Sequence, residues 1–143
     1  MNKLTVPSCE LCDSVGGEAL WQDKLCRVVL VEDRDYPGYC RVILNRHVSE
    51  MTDLDAATRQ RLMRVVFAVE QALRQLLRPA KINLASFGNM VAHLHWHIIA
   101  RFTDDKHFPG SIWSEARRAG EPRPLDRDGL RRVLQQLLQP VAE

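Results

Sequence analysis

Three of the five histidines lie at alternate positions within five residues, at His93, His95 and His97. On a β-strand, side chains alternate between two faces, so the three imidazoles would point the same way, roughly 6–7 Å apart from one to the next. The residues between them are Leu94 and Trp96, which suit an opposite face that packs on a hydrophobic core. The spacing therefore predicts a strand that presents a row of imidazoles on one face.

Such a row suits reactions at phosphorus. Imidazole titrates near neutrality and can act as a nucleophile, an acid or a metal ligand. One neutral imidazole can attack an electrophile, while a charged neighbour stabilises anionic oxygens or protonates a leaving group. A phosphoryl centre requires this kind of positioning and positive charge. Two other interpretations remain open from the residues alone: a metal site that uses the row, and a structural network of hydrogen-bonded histidines.

The pair Cys9 and Cys12 has the spacing of metal ligands but supplies only half a site. The other two ligands must come from elsewhere in the chain, and the candidates are Cys26, Cys40, His47, His93, His95, His97 and His107. A redox pair and a pair of unreactive buried thiols are the competing interpretations. Cys26 and Cys40 lie in strand-like runs, and we expect them to be small core residues.

The predicted elements follow the order hairpin, helix, hairpin, helix. A helix is predicted from the region of Thr52 and Asp55 to Pro79, because apolar residues recur with helical periodicity between them. The predicted strands are residues 25–31, 39–44, 81–87 and 93–102, with residues 1–18 irregular. This order indicates an α+β fold with an antiparallel sheet.

The C-terminal part, residues 103–143, is predicted to be a long loop followed by a helix. The loop, residues 103–124, contains glycine, proline and polar residues around His107, Phe108 and Trp113. These three side chains could contact a base or leaving group, or they could pin the loop to the body of the protein. Asp126 is a candidate cap for the last helix.

Composition limits the class of protein. The chain has 143 residues, 45% of them hydrophobic, and a net charge of only +2, so it is globular and shows no charge signature of nucleic-acid binding. The C-terminal arginines alternate with acidic residues and predict a charge-mixed surface. We see no signal-peptide pattern and no apolar run of membrane-spanning length, and we expect a cytoplasmic protein with reduced cysteines and no nucleic-acid or membrane partner.

The segment His93-Leu94-His95-Trp96-His97-Ile98-Ile99 resembles the signature of the histidine triad superfamily. The resemblance extends to Pro37-Gly38-Tyr39-Cys40-Arg41-Val42-Ile43-Leu44, which is similar to the family's Pro-Gly-His strand, and to Asn45-Arg46-His47 followed by Asp53-Leu54. It covers about residues 9 to 100. It implies an α+β domain spanning residues 1–143, with an antiparallel sheet of about five strands, a long helix and a C-terminal helix, and it implies a homodimer.

The resemblance also implies an activity. Members of this family are nucleotide-binding hydrolases and transferases that act on nucleotide α-phosphates. The middle histidine, here His95, would attack the α-phosphate and form a nucleotidyl-histidine intermediate, and His97 would contact phosphate oxygens or the bridging atom. The expected substrate is an adenosine nucleotide with a phosphoanhydride or phosphoramidate bond. The alternative is a nucleotide-binding regulatory module with little turnover.

The nucleotide-binding residues implied by the resemblance are Asp33, Asn83, Asn89 and His97. Asp33 would bind the ribose hydroxyls, with Asp35 as its competitor, although an aspartate here could also simply form the turn. The loop before the triad usually contains a glutamine and then a serine or threonine. This chain has Asn89 and Met90 instead, so a hydroxyl that would contact the phosphate is missing.

A zinc-binding branch of the family suggests ligands for the cysteine pair. Residue by residue, the ligand set would be Cys9, Cys12, His47 and His93. The zinc would be structural, because a closed tetrahedral site leaves no open position for catalysis. It would tether residues 1–18 to the sheet, and it would leave His95 and His97 free to contact phosphate.

Overall fold

The computed structural model describes residues 8–140. Five strands form one antiparallel sheet in the spatial order β1-β2-β3-β5-β4. The strands are β1 (Glu18–Gln22), β2 (Cys26–Leu30), β3 (Tyr39–Leu44), β4 (Lys81–Ala85) and β5 (His95–Arg101). The helices are α1 (Glu10–Asp13), a 3₁₀ turn (Met51–Asp53), α2 (Ala56–Leu77) and α3 (Arg127–Leu137). The predicted α+β fold with five antiparallel strands, a long helix and a C-terminal helix is confirmed.

The first strand and the first helix were not located by the sequence. Helix α1 lies within residues that were expected to be irregular, and β1 begins at their end. Strand β1 has polar residues at both ends, and its pairing with β2 shifts between Ala19 and Trp21. This irregularity interrupts the alternation of polar and apolar residues by which a strand is recognised in a sequence.

The register of β3 against β5 divides the sheet into two faces. His97 pairs with Arg41, and His95 pairs with Ile43, so these four side chains share one face. The alternate residues of both strands pack in the main hydrophobic core with α2 and α3; they are Cys40, Val42, Leu44, Trp96, Ile98 and Ala100. One face of the sheet therefore builds the core, and the other is available for chemistry.

Helix α2 begins and ends at recognisable signals. Asp55 is the N-cap, and its side chain accepts a hydrogen bond of 2.8 Å from the Thr58 backbone N–H. The helix therefore starts a few residues after Thr52, and it ends at Arg78, which has φ 48° immediately before Pro79. Within residues 8–140, no helix combines the length and apolar character needed to cross a membrane.

Cys26 and Cys40 are completely buried in the core, as predicted. Burial raises the pKa of each thiol to about 12. Both thiols are therefore protonated and unreactive at neutral pH.

The C-terminal arginines are paired with acidic residues across the surface. Arg127 and Arg131 both bind Glu18 at 3.0 Å, and Arg123 binds Asp104 at 3.0 Å. The predicted charge-mixed surface is confirmed at these positions. Exposed ion pairs of this kind contribute little to the free energy of unfolding, so they do not account for the stability of the fold.

Candidate functional site

The row of three histidines is divided between two sites. Strand β5 begins only at His95, so His93 lies before the strand, and its fully buried side chain does not join the other two. Its Nε2 lies 2.5 Å from the Leu44 carbonyl oxygen. Since a carbonyl can only accept, Nε2 carries the ring hydrogen and Nδ1 keeps a free lone pair. The predicted strand therefore begins two residues later than expected, at His95, and His93 lies beside the cysteines rather than in the cavity with the other two histidines.

The free nitrogen of His93 lies in a cluster of potential metal ligands. Its Nδ1 is 3.4 Å from the sulfur atoms of both Cys9 and Cys12, and Cys12 Sγ is 3.4 Å from His47 Nδ1. All four ligand atoms lie within 4.8 Å of one another. A tetrahedral zinc ion separates its sulfur and nitrogen ligands by about 3.6 Å. The four predicted ligands are thus brought close enough together to hold a metal ion.

The protonation state of His93 agrees with this role. Burial lowers the pKa of its imidazole, which keeps the ring neutral at pH 7. A neutral imidazole with a fixed Nε2–H is the form that binds a metal through Nδ1. Cys9 caps α1 and Cys12 lies within it, so this single turn of helix brings both thiols to the cluster.

His95 is held in one tautomer by the backbone. Its Nδ1 lies 2.6 Å from the His93 carbonyl oxygen, so Nδ1 is the donor. The other ring nitrogen, Nε2, is then unprotonated in the neutral ring and has a lone pair available for attack. His95 is only 9% exposed, but it lines a cavity that is open to solvent.

His97 lies next to His95, with 5.0 Å between their ring centroids. Its Nδ1 is 2.8 Å from the hydroxyl oxygen of Tyr39. Burial, and to a smaller extent the neighbouring His95 and Arg41, lowers the pKa of His97 to about 4. His97 is therefore neutral at pH 7, and the positive charge that we expected from a neighbouring histidine must come from another residue.

Arg41 supplies a positive charge beside these imidazoles. It pairs with His97 in the sheet and lines the same cavity. Among residues 8–140 it forms no ion pair, its Nε is buried without a hydrogen-bond partner, and its Nη1 reaches the Gly16 carbonyl at only 3.5 Å. Buried Arg27, in contrast, donates to four oxygen atoms. The sequence did carry a signal for Arg41: a single charged residue within an apolar strand.

The cavity has a volume of about 560 Å³, which lies in the usual range for a small-molecule site. It combines two imidazoles and a guanidinium with apolar and aromatic side chains; its lining is Tyr39, Arg41, Phe87, Gly88, Asn89, Met90, Val91, His95, His97, Ser111 and Trp113. Asn89 is at its exposed rim, and Met90 is 97% exposed. His95 and His97 therefore line a cavity that a ligand can enter from solvent.

The long loop reaches this cavity through Trp113. The Trp113 ring is 5.1 Å from the ring of His97 and 5.1 Å from that of Phe87, and Phe87 is 6.0 Å from His97. The other two aromatic candidates pin the loop instead. His107 Nδ1 lies 2.6 Å from the Tyr36 hydroxyl, and Phe108 lies under the Arg101 guanidinium. Trp113 is therefore placed where it could contact a ligand, whereas His107 and Phe108 attach the loop to the body of the protein.

The base of the loop is fixed by a buried ion pair that the sequence did not reveal. Arg101 donates to Asp105 at 2.8 Å and 3.0 Å, and both side chains are buried. Burial by itself raises the pKa of Asp105, but hydrogen bonds from Arg101 and from the backbone N–H groups of Phe102, His107 and Phe108 lower it well below its ordinary value. Asp105 therefore remains charged and organises the start of the loop.

Two predicted nucleotide-binding residues and one competitor lie outside the cavity lining. The Asp33 side chain accepts a hydrogen bond of 2.9 Å from the Asp35 backbone N–H, as a turn-forming aspartate does. Asp35 is paired with Lys106 at 3.3 Å. The side-chain oxygen of Asn83 accepts from Arg101 at 2.7 Å. Of the predicted nucleotide-binding residues, the cavity lining includes His97 and Asn89, but neither Asp33 nor Asn83.

Comparison with known proteins identifies similar sequences and folds. A family model described as HIT domain matches residues 15–104. No curated protein matches the sequence. The chain is 28% identical to a histidine triad protein from Marinobacter aquaeolei VT8, with a TM-score of 0.68, and the match covers 90% of this chain and 93% of that one.

Two further solved structures extend the comparison. A histidine triad protein from Bradyrhizobium japonicum is 28% identical, with a TM-score of 0.64 and coverage of 84% of this chain and 88% of that one. A zinc-bound histidine triad family protein from Mycobacterium smegmatis is 23% identical, with a TM-score of 0.60 and coverage of 92% and 93%. The latter likeness supports the fold alone.

Proposed function

Because the chain belongs to the HIT domain family, we propose that it is a nucleotide hydrolase or transferase acting on the α-phosphate of adenosine nucleotides, with His95 as the nucleophile. The observation that carries this proposal is the hydrogen bond from His95 Nδ1 to the His93 carbonyl. It leaves Nε2 with a free lone pair beside a cavity that also contains His97 and Arg41. A fixed nucleophile next to positive charge is the arrangement that phosphoryl chemistry needs.

The reaction proceeds in two displacements at the α-phosphorus. In the first, the His95 Nε2 lone pair forms a bond to phosphorus, and the leaving group departs with the electron pair of the broken bond. A phosphoanhydride releases an oxyanion, whereas a phosphoramidate releases an amine, which takes up a proton at its nitrogen. In the second, the oxygen of water or another acceptor bonds to phosphorus, the phosphorus–nitrogen bond breaks, and its electron pair returns to Nε2. With water as acceptor, the product is AMP; the proton lost by water passes to solvent for an anhydride and balances the proton taken up by the amine for a phosphoramidate.

His97 assists at the phosphate as a neutral hydrogen-bond donor. When Tyr39 donates its hydroxyl hydrogen to Nδ1, the neutral ring carries its own hydrogen on Nε2. That N–H then donates to a phosphate oxygen or to the bridging atom. Met90 is exposed and has no hydroxyl group, so it cannot donate a hydrogen bond to the phosphate. Arg41 adds a fixed positive charge that compensates for this missing contact.

A structural zinc ion fits Cys9, Cys12, His47 and His93. When bound, it would supply a closed cross-link between the N-terminal segment and the sheet. The same residue, His93, contributes its side chain to this cluster and its carbonyl to His95. A metal bound there would therefore act on the proposed nucleophile through His93.

The remaining nucleotide contacts belong to the same proposal. Asp33 keeps one carboxylate oxygen beyond its turn hydrogen bond and is our candidate for the ribose hydroxyls. Asn89, at the cavity rim, is the candidate amide for the phosphate. The side-chain oxygen of Asn83 accepts a hydrogen bond from Arg101. Asn83 could bind a nucleotide through this oxygen only if a contact to the nucleotide replaced that hydrogen bond.

We also propose a homodimer. Strand β4 is an edge of the sheet, and Phe67 on α2 is 53% exposed beside a groove formed with Met63 and Leu137. An edge strand and an exposed apolar helix face are surfaces that a second copy of the chain can cover. Light scattering should give twice the mass of the chain, and a monomer at micromolar concentration would contradict this proposal.

A nucleotide-binding module with little turnover is the second candidate function, and Met90 is the residue that favours it. The two functions are separated by measuring AMP binding by calorimetry and hydrolysis of a dinucleoside polyphosphate and of adenosine phosphoramidate in the same preparation. We expect binding and hydrolysis by the wild type, and binding without hydrolysis by His95→Gln. Binding of AMP by a wild-type protein that hydrolyses neither substrate would identify a binding module.

A further inference from the structure

Arg27 is a buried arginine on β2 that the proposed reaction does not use. It pairs with Ile43 on β3, which pairs in turn with His95 on β5, so its side chain lies on the face of the sheet that carries the cavity histidines. Only 9% of this residue is exposed. A buried charge is costly unless its hydrogen bonds are satisfied, so the groups that this guanidinium binds indicate what it does.

The guanidinium fixes the end of the segment that carries the two cysteines. Its Nη2 donates to the carbonyls of Leu11 and Ser14 at 2.6 Å and 3.1 Å, and its Nε donates to the Val15 carbonyl at 2.9 Å. These carbonyls lie in the last turn of α1 and just after it, where a helix leaves its carbonyl groups without partners. A helix of four residues is not stable by itself. The three hydrogen bonds therefore hold α1, and with it Cys9 and Cys12, against the sheet.

The same guanidinium reaches the segment that carries a third ligand, His47. Its Nη1 donates to the Asn45 side-chain oxygen at 3.1 Å, and the Asn45 side-chain nitrogen donates to the Asp23 carbonyl at 2.8 Å. The Asn45 backbone N–H donates to the Leu25 carbonyl at 2.9 Å. Asn45 is thus held by its backbone and its side chain, two residues before His47. Arg27 therefore connects two ligand-bearing segments that are distant in the sequence.

These contacts do not depend on a metal. The acceptors of the guanidinium are backbone carbonyls and one side-chain amide, and none of them is a ligand atom of the cluster. Leu11 adds apolar contacts, since it is buried and packs with Val29 and Ile43. The His93 ring is fixed separately by the Leu44 carbonyl. Hydrogen bonds and packing within the protein thus bring the ligands together.

We infer that Arg27 is a positioning residue of the metal site: it joins the segment of Cys9 and Cys12 to the segment of His47 and keeps the ligands assembled before a metal binds. This inference rests on the metal site of the proposed function, but not on the reaction at His95. A preassembled site binds its metal more tightly, because binding does not have to order the N-terminal segment. Residues that support metal ligands in this way typically change metal affinity about 10–100-fold.

The first test measures zinc affinity of the metal-free full-length protein by competition with a chromogenic chelator. Arg27→Gln should raise the Kd for zinc about 10–100-fold. Arg27→Lys keeps the charge but cannot reach both segments with a planar fork, so it should lose most of the affinity as well.

Arg101→Gln is the matched control for this measurement. Arg101 is also buried on this face of the sheet, but it binds Asn83, Asp105 and the Gly110 carbonyl, and none of these belongs to a ligand-bearing segment. Its replacement should destabilise the fold while leaving the Kd for zinc within about threefold of the wild type. A general loss of stability would instead weaken zinc binding in both variants.

The second test is hydrogen exchange in the metal-free protein. The backbone N–H groups of Cys12, Asp13 and Ser14 are hydrogen-bonded within the turn of α1, so their exchange reports whether this turn is formed. They should exchange slowly in the wild type and rapidly in Arg27→Gln. Asn45→Ala removes only the link toward His47, so it should leave these N–H groups protected and still weaken zinc binding.

The outcomes that would overturn the inference are specific. They are unchanged zinc affinity in Arg27→Gln, full affinity in Arg27→Lys, an equal loss of affinity in Arg101→Gln, and free exchange of the α1 N–H groups in the metal-free wild type. If Arg27→Gln does not fold, Asn45→Ala decides, and unchanged zinc affinity in that variant counts against the inference.

Failure of the proposed function can be told apart from failure of this inference. A wild-type protein that binds no zinc would refute the metal site and the inference with it. Neither measurement uses a nucleotide, so a protein that binds zinc as described but never reacts at His95 would refute the proposed reaction and leave the role of Arg27 intact.

Discussion

The tautomer of His95, the proposed nucleophile, is defined by a single backbone carbonyl. An imidazole on a surface exchanges its proton between two nitrogens, whereas His95 must keep its hydrogen on Nδ1 because the His93 carbonyl can only accept. The neighbouring histidine, His97, is affected mainly by burial, which lowers its pKa to about 4. In the proposed reaction, a histidine with a fixed tautomer is therefore accompanied by a neutral hydrogen-bond donor, His97, and by a charged arginine, Arg41.

The pKa of His97 leads to a prediction about stability and pH. In the unfolded chain the imidazole has its ordinary pKa of 6.5, and in the fold it has a pKa of about 4, so the unfolded state binds more protons between these values. The contribution of neutral His97 to the free energy of unfolding is therefore complete above pH 6.5. It is lost as the pH falls toward 4, and the loss amounts to up to about 3 kcal/mol.

Denaturant unfolding of the wild type and of His97→Asn at a series of pH values measures this contribution. The free energy of unfolding of the wild type should fall more steeply between pH 6.5 and 4 than that of the variant. Protonation of the candidate metal ligands occurs in both proteins and cancels in the comparison. Equal slopes would show that His97 is not held neutral by the fold.

Arg41 leads to a second prediction at the scale of one residue. Its guanidinium has no acidic partner in the described part of the chain and faces a cavity that we propose binds phosphate. Arg41→Gln should therefore weaken AMP binding about tenfold, the order expected for one charge-assisted hydrogen bond, and leave adenosine binding unchanged. Calorimetry with both ligands measures this, and Arg41→Lys should fall between the two proteins. An equal loss for AMP and adenosine would place Arg41 against the nucleoside instead.

At the scale of elements, the alternation of residues explains both the success and the failure of the sequence-based interpretation. His95 and His97 are two residues apart on β5 and share a face, as the spacing predicted. His93 has the same spacing, but it precedes β5, and its imidazole contacts Cys9 and Cys12 instead of lining the cavity. The end of a strand depends on its neighbours, here on the bond from the Leu94 N–H to the Val48 carbonyl, and not on local sequence.

Contacts between distant segments account for what the sequence did not reveal. Arg101 and Asp105 look like ordinary surface residues in a charged stretch, but the fold buries them together with Tyr36 from the turn before β3. The position of Trp113 over His97 depends on that buried pair. Predicting these contacts requires the path of the whole loop, which the local pattern of residue types does not contain.

The loop provides a prediction with a matched control. Asp105→Asn removes the charge that compensates buried Arg101 and should lower the free energy of unfolding by about 3 kcal/mol. It should also reduce turnover, because the loop that carries Trp113 begins there. Asp104→Asn removes a carboxylate from the adjacent position, where the pair with Arg123 is exposed, and should change stability little. Similar effects of the two substitutions, measured by denaturant unfolding, would argue against Asp105 as the anchor.

At the scale of the whole molecule, the N-terminal segment and β5 are connected through His93. The side chain of this residue lies with Cys9, Cys12 and His47 in a group of potential metal ligands, while its carbonyl accepts a hydrogen bond from His95. The four-residue cluster was anticipated through the family resemblance, because the cysteine spacing alone left seven candidate partners open. A metal in this cluster would stabilise the fold and would affect catalysis only indirectly.

Metal analysis tests this arrangement. The purified wild type should contain about one equivalent of zinc per chain, and Cys9→Ser should lose it and unfold at a lower temperature. His107→Gln, which removes a histidine outside the cluster, should keep the metal. A chelator should reduce activity only as the protein loses structure. Immediate loss of activity in a protein that stays folded would show that the metal acts in catalysis.

The most direct test of the account is to trap the covalent intermediate. The protein is mixed with a dinucleoside polyphosphate labelled in the α-phosphate, denatured within milliseconds under alkaline conditions that preserve phosphorus–nitrogen bonds, and mapped by mass spectrometry. We predict one AMP group on His95 in the wild type and none in His95→Gln. Turnover by the wild type with no label on the protein, or with the label on a different residue, would contradict the assignment of His95 as the nucleophile.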